Sequence, residues 1–426
     1  MKKRIALLLA AALVFCACGG KTTGTRDGVA RAAEETGGLL SAPTDGEAQT
    51  ITVASASFNT FELEQYINRF NGSQNLVHAE LKQYSEPTQL LADFAAGNAP
   101  DVLDLHGAGI PLNGVNFVDM MPFLEADTGI ALTDFSGNII PSLKTDGKLL
   151  ALTDGFSITT VTGRTKDVGM QSGWKMADVE QLSLEKSGDH FVFPPHLTAG
   201  EMMLWFCYVS MGQMIDWNAG RCHFDTPAFT EMLEFCADLP RSYDASAGGM
   251  SEWSEKVLLV VETVSNPARL EAIRENYGTE AYTFIGFPNA DANNGAYFDS
   301  TNNLLLAIPA RSQKTAAAWA FVRGMLEADW QSRVAERWEL PVIRSALDAM
   351  FDDYVISGEG VLSDVDKERF YRLLEETTIF IHDDDRIRKI IMEEATAFLS
   401  GQRSAMEAAE LVQNRVTIYL QEQYQR

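Results

Sequence analysis

Residues 51–55, 77–81 and 102–105 read Ile-Thr-Val-Ala-Ser, Val-His-Ala-Glu-Leu and Val-Leu-Asp-Leu. The intervals between them carry helical spacing. In the first interval Leu63, Tyr66, Ile67 and Phe70 recur at three- and four-residue steps, behind an opening at Phe58-Asn-Thr60. In the second, Gln89 to Ala96 reads as a helix that stops at Gly97, a residue suited to a C-terminal cap. Val77, Ala79 and Leu81 alternate with polar residues, as a half-buried strand does. Residues 50–106 thus run β-α-β-α-β. That alternation predicts an α/β fold with a parallel sheet and helices on both faces. In such sheets ligands bind beyond the carboxyl ends of the strands, here the loops that start at Ser55 and Leu105.

Downstream, Phe224-Asp-Thr-Pro227 precedes a helix with Phe229, Met232, Leu233 and Cys236 inward. Thr226 suits its N-cap and Pro227 its first position. Leu304 to Ile308 reads as a buried strand ended by Pro309, and Thr315 to Leu326 as a helix with Trp319 on its apolar stripe. The last helix opens with a capping box, Ser404 and Glu407. The length of 426 residues accommodates roughly two or three domains. Trp205 and Trp319 sit on apolar helical stripes and are expected in the core, whereas Trp217 is expected to pack a small hairpin.

Upstream, Lys2, Lys3 and Arg4 precede the apolar run Ile5 to Phe15, which is too short to span a bilayer. This is the layout of a secretory signal peptide. Cleavage after Ala17 at an ordinary small-x-small site would place Phe15 where a small side chain is needed. Cys18 follows directly, and Leu13 to Gly20 resembles a bacterial lipobox, so residues 1–17 are expected to be the signal and Cys18 the lipidated residue. Residues 18–48, rich in Gly, Thr, Ala and Ser, then read as a flexible tether. After Ala48 no stretch approaches the roughly 18 apolar residues of a membrane span.

The formal charge is −25, and removing the leader with its three cations makes it more negative still. Such a body is repelled by nucleic acid, so no nucleic-acid partner is expected. With Cys18 lipidated, Cys207, Cys222 and Cys236 remain, too few for a disulfide framework. Cys207 and Cys236 fall in apolar helical runs; a Cys222–Cys236 bridge stays open. The chain lacks G-x-S-x-G, H-E-x-x-H, C-x-x-C and the phosphate-binding loop G-x-x-x-x-G-K-[ST]. Its six histidines show no zinc spacing, Asp291 to Gly295 departs from a calcium loop, and Asp383-Asp-Asp385 reads as a solvated loop. No metal, cofactor or catalytic residue is expected, and the chain is read as a non-enzyme. Nothing marks the opposed carboxylate pair of a glycosidase.

Several segments, in order, resemble the bacterial extracellular solute-binding proteins of family 1, the sugar-type group that includes maltodextrin-binding proteins. They are Ile51-Thr-Val-Ala, Tyr66 to Asn71, Ala96-Gly-Asn-Ala-Pro-Asp101 with Val-Leu-Asp-Leu, Phe117-Val-Asp-Met-Met-Pro-Phe123, Gly147-Lys-Leu-Leu-Ala-Leu-Thr153, Cys222 to Phe229, Thr315 to Leu326, and Phe398-Leu-Ser-Gly401. Thr153-Asp-Gly-Phe156 departs from the proline and aromatic usual in that family. The resemblance implies a two-lobe periplasmic-binding-protein-like fold of type II, each lobe a mainly parallel sheet flanked by helices, with the ligand cleft between lobes. Lobe I is placed at 49–155 plus 299–342 and lobe II at 156–298 plus 343–426. Crossing strands are expected near 153–160, 298–304 and 340–346. It further implies a monomer that captures a carbohydrate or oligosaccharide and delivers it to ABC permease subunits served by separate ATPases. The alternatives are an envelope-anchored glycoside hydrolase or lyase, a binding protein for a polyamine or peptide, and a sensing lipoprotein without transport.

A sugar offers apolar ring faces and a rim of hydroxyls, which calls for aromatic faces plus carboxylates and amides. Loop position selects the candidates. Ser57, Phe58 and Asn59 follow the first strand, and Asp104 and His106 end the third. Asp154 and Phe156 lie at the first crossing, and Phe298, Asp299 and Asn302 at the second. Trp338 and Glu339 precede the third, and Ser265 and Asn266 follow the apolar run Leu258 to Val264.

Overall fold

Strand β1 (Gln49–Ser55) runs parallel to β2 (Val77–Gln83), with Ile51 opposite Ala79, and its other edge runs parallel to β3 (Val102–Asp104). The computed structural model describes residues 48–186, 190–217, 219–242, 256–358, 360–381 and 384–424. The leader, Cys18, most of the tether, His382 and Asp383 lie outside the described residues. The helix Phe61–Ser73 buries the four residues its spacing selects, Leu63, Tyr66, Ile67 and Phe70. Tyr66 packs 4.8 Å, ring to ring, from both Phe321 and Trp330. The helix Pro87–Ala95 ends just before Gly97, whose φ of +86° closes the turn without a Cβ penalty.

The first sheet is completed from far along the chain. Its order is β2-β1-β3-β11-β4, with β11 (Leu305–Ala307) antiparallel to both β3 and β4 (Leu152–Thr153). After Asp154 the chain enters β5 (Gly155–Arg164), which carries Thr159, Thr160 and Thr162 and is buried along most of its length. The hairpin β6 (Ile215–Asp216) and β7 (Arg221–Cys222) follows. Around β5 gather β8 (Leu259–Val264), β9 (Tyr282–Phe284), β10 (Tyr297–Asp299) and β12 (Leu340–Pro341), all antiparallel to it. The pairing of β10 with β13 (Ile379–Phe380) is parallel.

The expectation of a mainly parallel sheet therefore holds for β1–β3 and not for the second sheet. The helix Pro267–Tyr277 does carry the chain between strands that run the same way, β8 and β9. The long β5 occupies the slot between them, so each ladder formed there is antiparallel.

One core lies over the second sheet beneath the helices Ala199–Gln213, Pro227–Ala237, Asp385–Leu399 and Ala405–Tyr424. Cys207 and Cys236 are fully buried in it, and Cys207, Cys222 and Cys236 are free thiols, so the Cys222–Cys236 bridge is not formed. A second core runs without a break from the first sheet to β5 and β10, where Phe156 and Phe298 meet edge to face at 5.4 Å. Trp319 is buried and Trp205 partly so, as the apolar stripes predict. Ser404 and Glu407 form the capping box. Thr226 stands at its N-cap position, but its hydroxyl donates to the His223 carbonyl instead of accepting from the helix. No described helix is long and apolar enough to cross a membrane.

The two sheets are joined at β4–β5, at the turn between β10 and β11, and at the segment leading into β12. The cleft described next opens beside these links.

Candidate functional site

β1 and β3 end side by side, and the loops they release face the turn that joins β10 to β11. A cavity of about 230 Å³ opens there. One wall is the loop Leu105–Leu112; the floor is Asp299, Ser300 and Thr301; the opposite wall carries Tyr208, Trp217, Ile381, Asp384 and Asp385. The cavity thus draws on both sheets. Among the described residues lining it none is Lys or Arg, while Asp299, Asp384 and Asp385 bring carboxylates.

In the wall formed by the loop after β3 stands a dyad. Asp104, at the end of β3, is buried and accepts from the Ser55 hydroxyl at 2.8 Å and, through Oδ1, lies 2.9 Å from His106 Nδ1. The His106 side chain is 26% exposed and lines the cavity. Burial opposes a charge on this imidazole. The Asp104 bond and charge, the charge of Asp299 and the Ser300 backbone outweigh it and raise its pKa above the ordinary histidine value. Asp104 therefore acts by orienting and charging His106, not by reaching the cavity itself.

The turn 299–303 links this dyad to a second polar group. Asp299 Oδ1 accepts from the Thr301 amide at 2.7 Å, and Asn303 N–H donates to the Ser300 carbonyl at 2.8 Å. Next to the far end of the turn lie Trp338 and Glu339. Trp338 adopts φ +63°, a left-handed conformation costly for a bulky residue. It is held by Asn266 Nδ2 on its carbonyl at 3.2 Å and by an edge-on contact with Tyr354 at 6.1 Å, and the residue is 43% exposed. Burial pushes the Glu339 carboxyl up to about 7, against the pull of the Asn303 and Asn302 amides and of Arg337. Asn266 caps the helix Pro267–Tyr277 through Arg269 N–H, and its amide also reaches Ser265 Oγ at 3.1 Å.

The loop after β1 is a self-contained turn. Ser57 Oγ donates to the Asn59 carbonyl at 3.1 Å, and Asn59 Oδ1 accepts from Phe61 N–H at 3.2 Å. With those polar groups satisfied, Phe58 projects 99% exposed. A Cβ on Gly107 would lie 3.5 Å from the Ala56 carbonyl, so this loop abuts the cavity wall.

Besides Asp104, three candidates are corrected. Asp154 is wholly buried and serves the links between the sheets: its carboxylate accepts from Leu304 N–H at 2.8 Å and Trp330 Nε1 at 2.7 Å, and pairs with Arg337 at 3.2 Å. Phe156 and Phe298 are wholly buried against each other. Phe156 on β5 and Phe298 on β10 are turned into the core by the strand pleat, and Asp154 sits at the junction between β4 and β5. In return the cavity recruits residues not selected from sequence. Tyr208 lies on an apolar helix, Trp217 follows β6 in the predicted small hairpin, and Asp384 is the N-cap of the helix Asp385–Leu399. Each has an obvious structural duty, which hides its second face. No group of three or more His, Cys, Asp or Glu side chains is placed to hold a metal among the described residues.

No protein-family profile matches the sequence, and a search of curated proteins finds no match. Solved structures do match. The sugar-binding protein MalE from the phytopathogen Xanthomonas citri is 15% identical over 88% of this chain and 98% of that one, with a TM-score of 0.59. An ABC substrate-binding protein from Listeria monocytogenes in complex with cycloalternan is 14% identical over 88% and 99%, with a TM-score of 0.53. The cyclic alpha-maltosyl-1,6-maltose binding protein from Arthrobacter globiformis is 15% identical over 88% and 100%, also at 0.53. The chain shares the two-lobed α/β fold of these solute-binding proteins along nearly nine-tenths of its length.

Proposed function

We propose that this protein captures a small solute, a carbohydrate or oligosaccharide, in the cleft between its lobes and delivers it to the permease of an ABC importer. The observation that carries the reading is the cavity drawn from both sheets beside the linking strands. It combines aromatic surface from Tyr208 and Trp217 with polar groups from His106, Asp299 and Thr301, the pairing that sugar faces and hydroxyls call for. Phe58, after β1, and Trp338, before β12, are further exposed aromatics on connecting loops. The proposed ligand contacts are Ser57, Phe58, Asn59, His106, Ser265, Asn266, Asp299, Asn302, Trp338 and Glu339.

The lobes are assigned to 49–155 plus 299–342 and 156–298 plus 343–426, with closure by hinge motion at the linking segments. The protein works as a monomer outside the cytoplasm, held to the membrane by a lipid on Cys18, and hands its solute to separate permease and ATPase subunits. Binding is its whole task; it does not turn the solute over.

Melting temperature against a panel of mono- and oligosaccharides tests this. A solute that binds only the folded form stabilises it by RT ln(1 + [L]/Kd), about 2.7 kcal/mol at a hundredfold excess over Kd. A response to polyamines or peptides with none to sugars overturns the carbohydrate assignment. The Asp104–His106 pair gives one specific reason to consider hydrolysis, since such a pair can move protons. Chromatography of the same incubations decides it: cleavage products overturn the binding-only reading.

A further inference from the structure

Two buried acceptors at the far end of the 299–303 turn, behind the residues that line the cavity, have no protein donor, Glu339 Oε2 and Asn303 Oδ1. Asn303 is only 5% exposed, and it is packed so closely that a Cβ on Gly155 would lie 2.3 Å from its Oδ1. Buried acceptors left without donors are costly, and each one calls for an explanation, such as a bound partner that completes the bonding. A bulky residue, Trp338, is held in the left-handed region immediately before Glu339, so the loop that presents this carboxyl is strained, as binding sites often are. The charged groups that act on Glu339 are the Arg337 guanidinium, on its own loop, and Asp154, at the first link; Arg337 is itself engaged by Glu62 Oε2 at 2.7 Å and by Asp154.

We infer that Glu339 and Asn303 form a subsite for a hydroxyl of the captured solute, and that a proton on Glu339 supplies the missing donor in the free protein and leaves for solvent on capture. This rests on the reading of the cleft as a solute site. The carboxyl value of about 7 is consistent with a proton held there near neutrality. A solute hydroxyl donating to Glu339 favours the carboxylate, so affinity rises with pH until Glu339 is ionised without help.

The test has two arms on the purified protein. First, NMR of protein labelled with ¹³C at glutamate carboxyls, assigned by loss of one resonance in Glu339→Gln, reads the titration directly. A midpoint near 7 is expected, and a midpoint near the ordinary glutamate value overturns the inference. Second, maltotriose, cellotriose, xylotriose and chitotriose are titrated calorimetrically in phosphate and in Tris at pH 6 and pH 8. The sugar that binds best releases most of one proton at pH 6 and little at pH 8, with a gain in affinity of up to about tenfold per pH unit below 7. His106 faces the same cleft, so the decisive comparison is Glu339→Gln, in which the release is lost, against His106→Gln, in which it persists. Binding with equal enthalpies in both buffers overturns this inference alone. Failure of all four sugars to bind overturns it together with the carbohydrate reading above.

Discussion

Asp154 and Glu339 are two carboxyls that feel the same guanidinium, Arg337, and the fold treats them oppositely. Asp154 is wholly enclosed, yet each oxygen has donors: Leu304 N–H on one, Trp330 Nε1 and Arg337 on the other. Burial raises its pKa, and Arg337, Trp330 and Leu304 pull against that rise. Glu339 is only partly buried, yet one oxygen has no donor. Burial depth does not separate structure from function here; completeness of hydrogen bonding does. A saturated carboxylate is part of the framework, and an unsaturated one beside a cleft is available to something else.

The largest expected effect breaks the saturated side. Asp154→Ala strands Trp330 Nε1, Leu304 N–H and the Arg337 charge in the interior, and should cost about 3–5 kcal/mol of unfolding free energy, read from the urea midpoint. A loss under about 1 kcal/mol would mean the network is not the framework described. Phe298→Ala removes the ring that meets Phe156 at the link and should cost about 3–4 kcal/mol. Both variants, where still folded, should retain solute affinity better than Phe58→Ala does.

The dyad gives an intermediate effect that depends on pH. His106 has a raised folded pKa, so its pairing with Asp104 contributes stability that is fully present below the unfolded value of about 6.5 and fades as pH rises through the folded value. His106→Asn should therefore cost about 1–2 kcal/mol at pH 5.5 and less at pH 8.5, in paired urea melts. An equal loss at both pH values would remove the charge from the account.

The smallest stability effects belong to the exposed aromatics. Phe58→Ala should change stability by less than about 0.5 kcal/mol while weakening sugar binding several-fold, measured by calorimetry. Trp338→Gly relieves about 1 kcal/mol of left-handed strain and forfeits about as much from the Tyr354 contact. Near-neutral stability with lost affinity is the expected outcome. A large stability loss would make Trp338 a framework residue.

Much of the fold was legible because residues 50–106 obey local rules. Leu63, Tyr66, Ile67 and Phe70 mark one helical face, and Val77 and Ala79 one strand face, without reference to anything distant. The second sheet was not legible in the same way, because the partners of β5 come from residues 259–341 and their direction depends on which strand fills the slot between β8 and β9. The site divided along a similar line. Of the residues lining the cavity, His106 and Asp299 follow or end strands, where loop position is readable, whereas Thr301 was not selected. Phe156 and Phe298 sit where the strand pleat points inward, and Asp154 is enclosed at the β4–β5 junction by its donors Leu304, Trp330 and Arg337. Tyr208 and Asp384 carry helix-packing and helix-capping signals that mask their second role.

The central place of β5 also bears on how the chain can be made. Its ten residues leave the ribosome early, while the segments that zip against them arrive roughly 100 to 185 residues later, and the strand that completes the first sheet, β11, is still further off than β8. For most of synthesis β5 is a long, Thr-rich strand with bare edges, the kind of segment that pairs with the wrong neighbour. Export in an unfolded state, followed by collapse of the whole chain at once, would spare it that exposure, and a truncated product ending before residue 259 should aggregate instead of folding as a half.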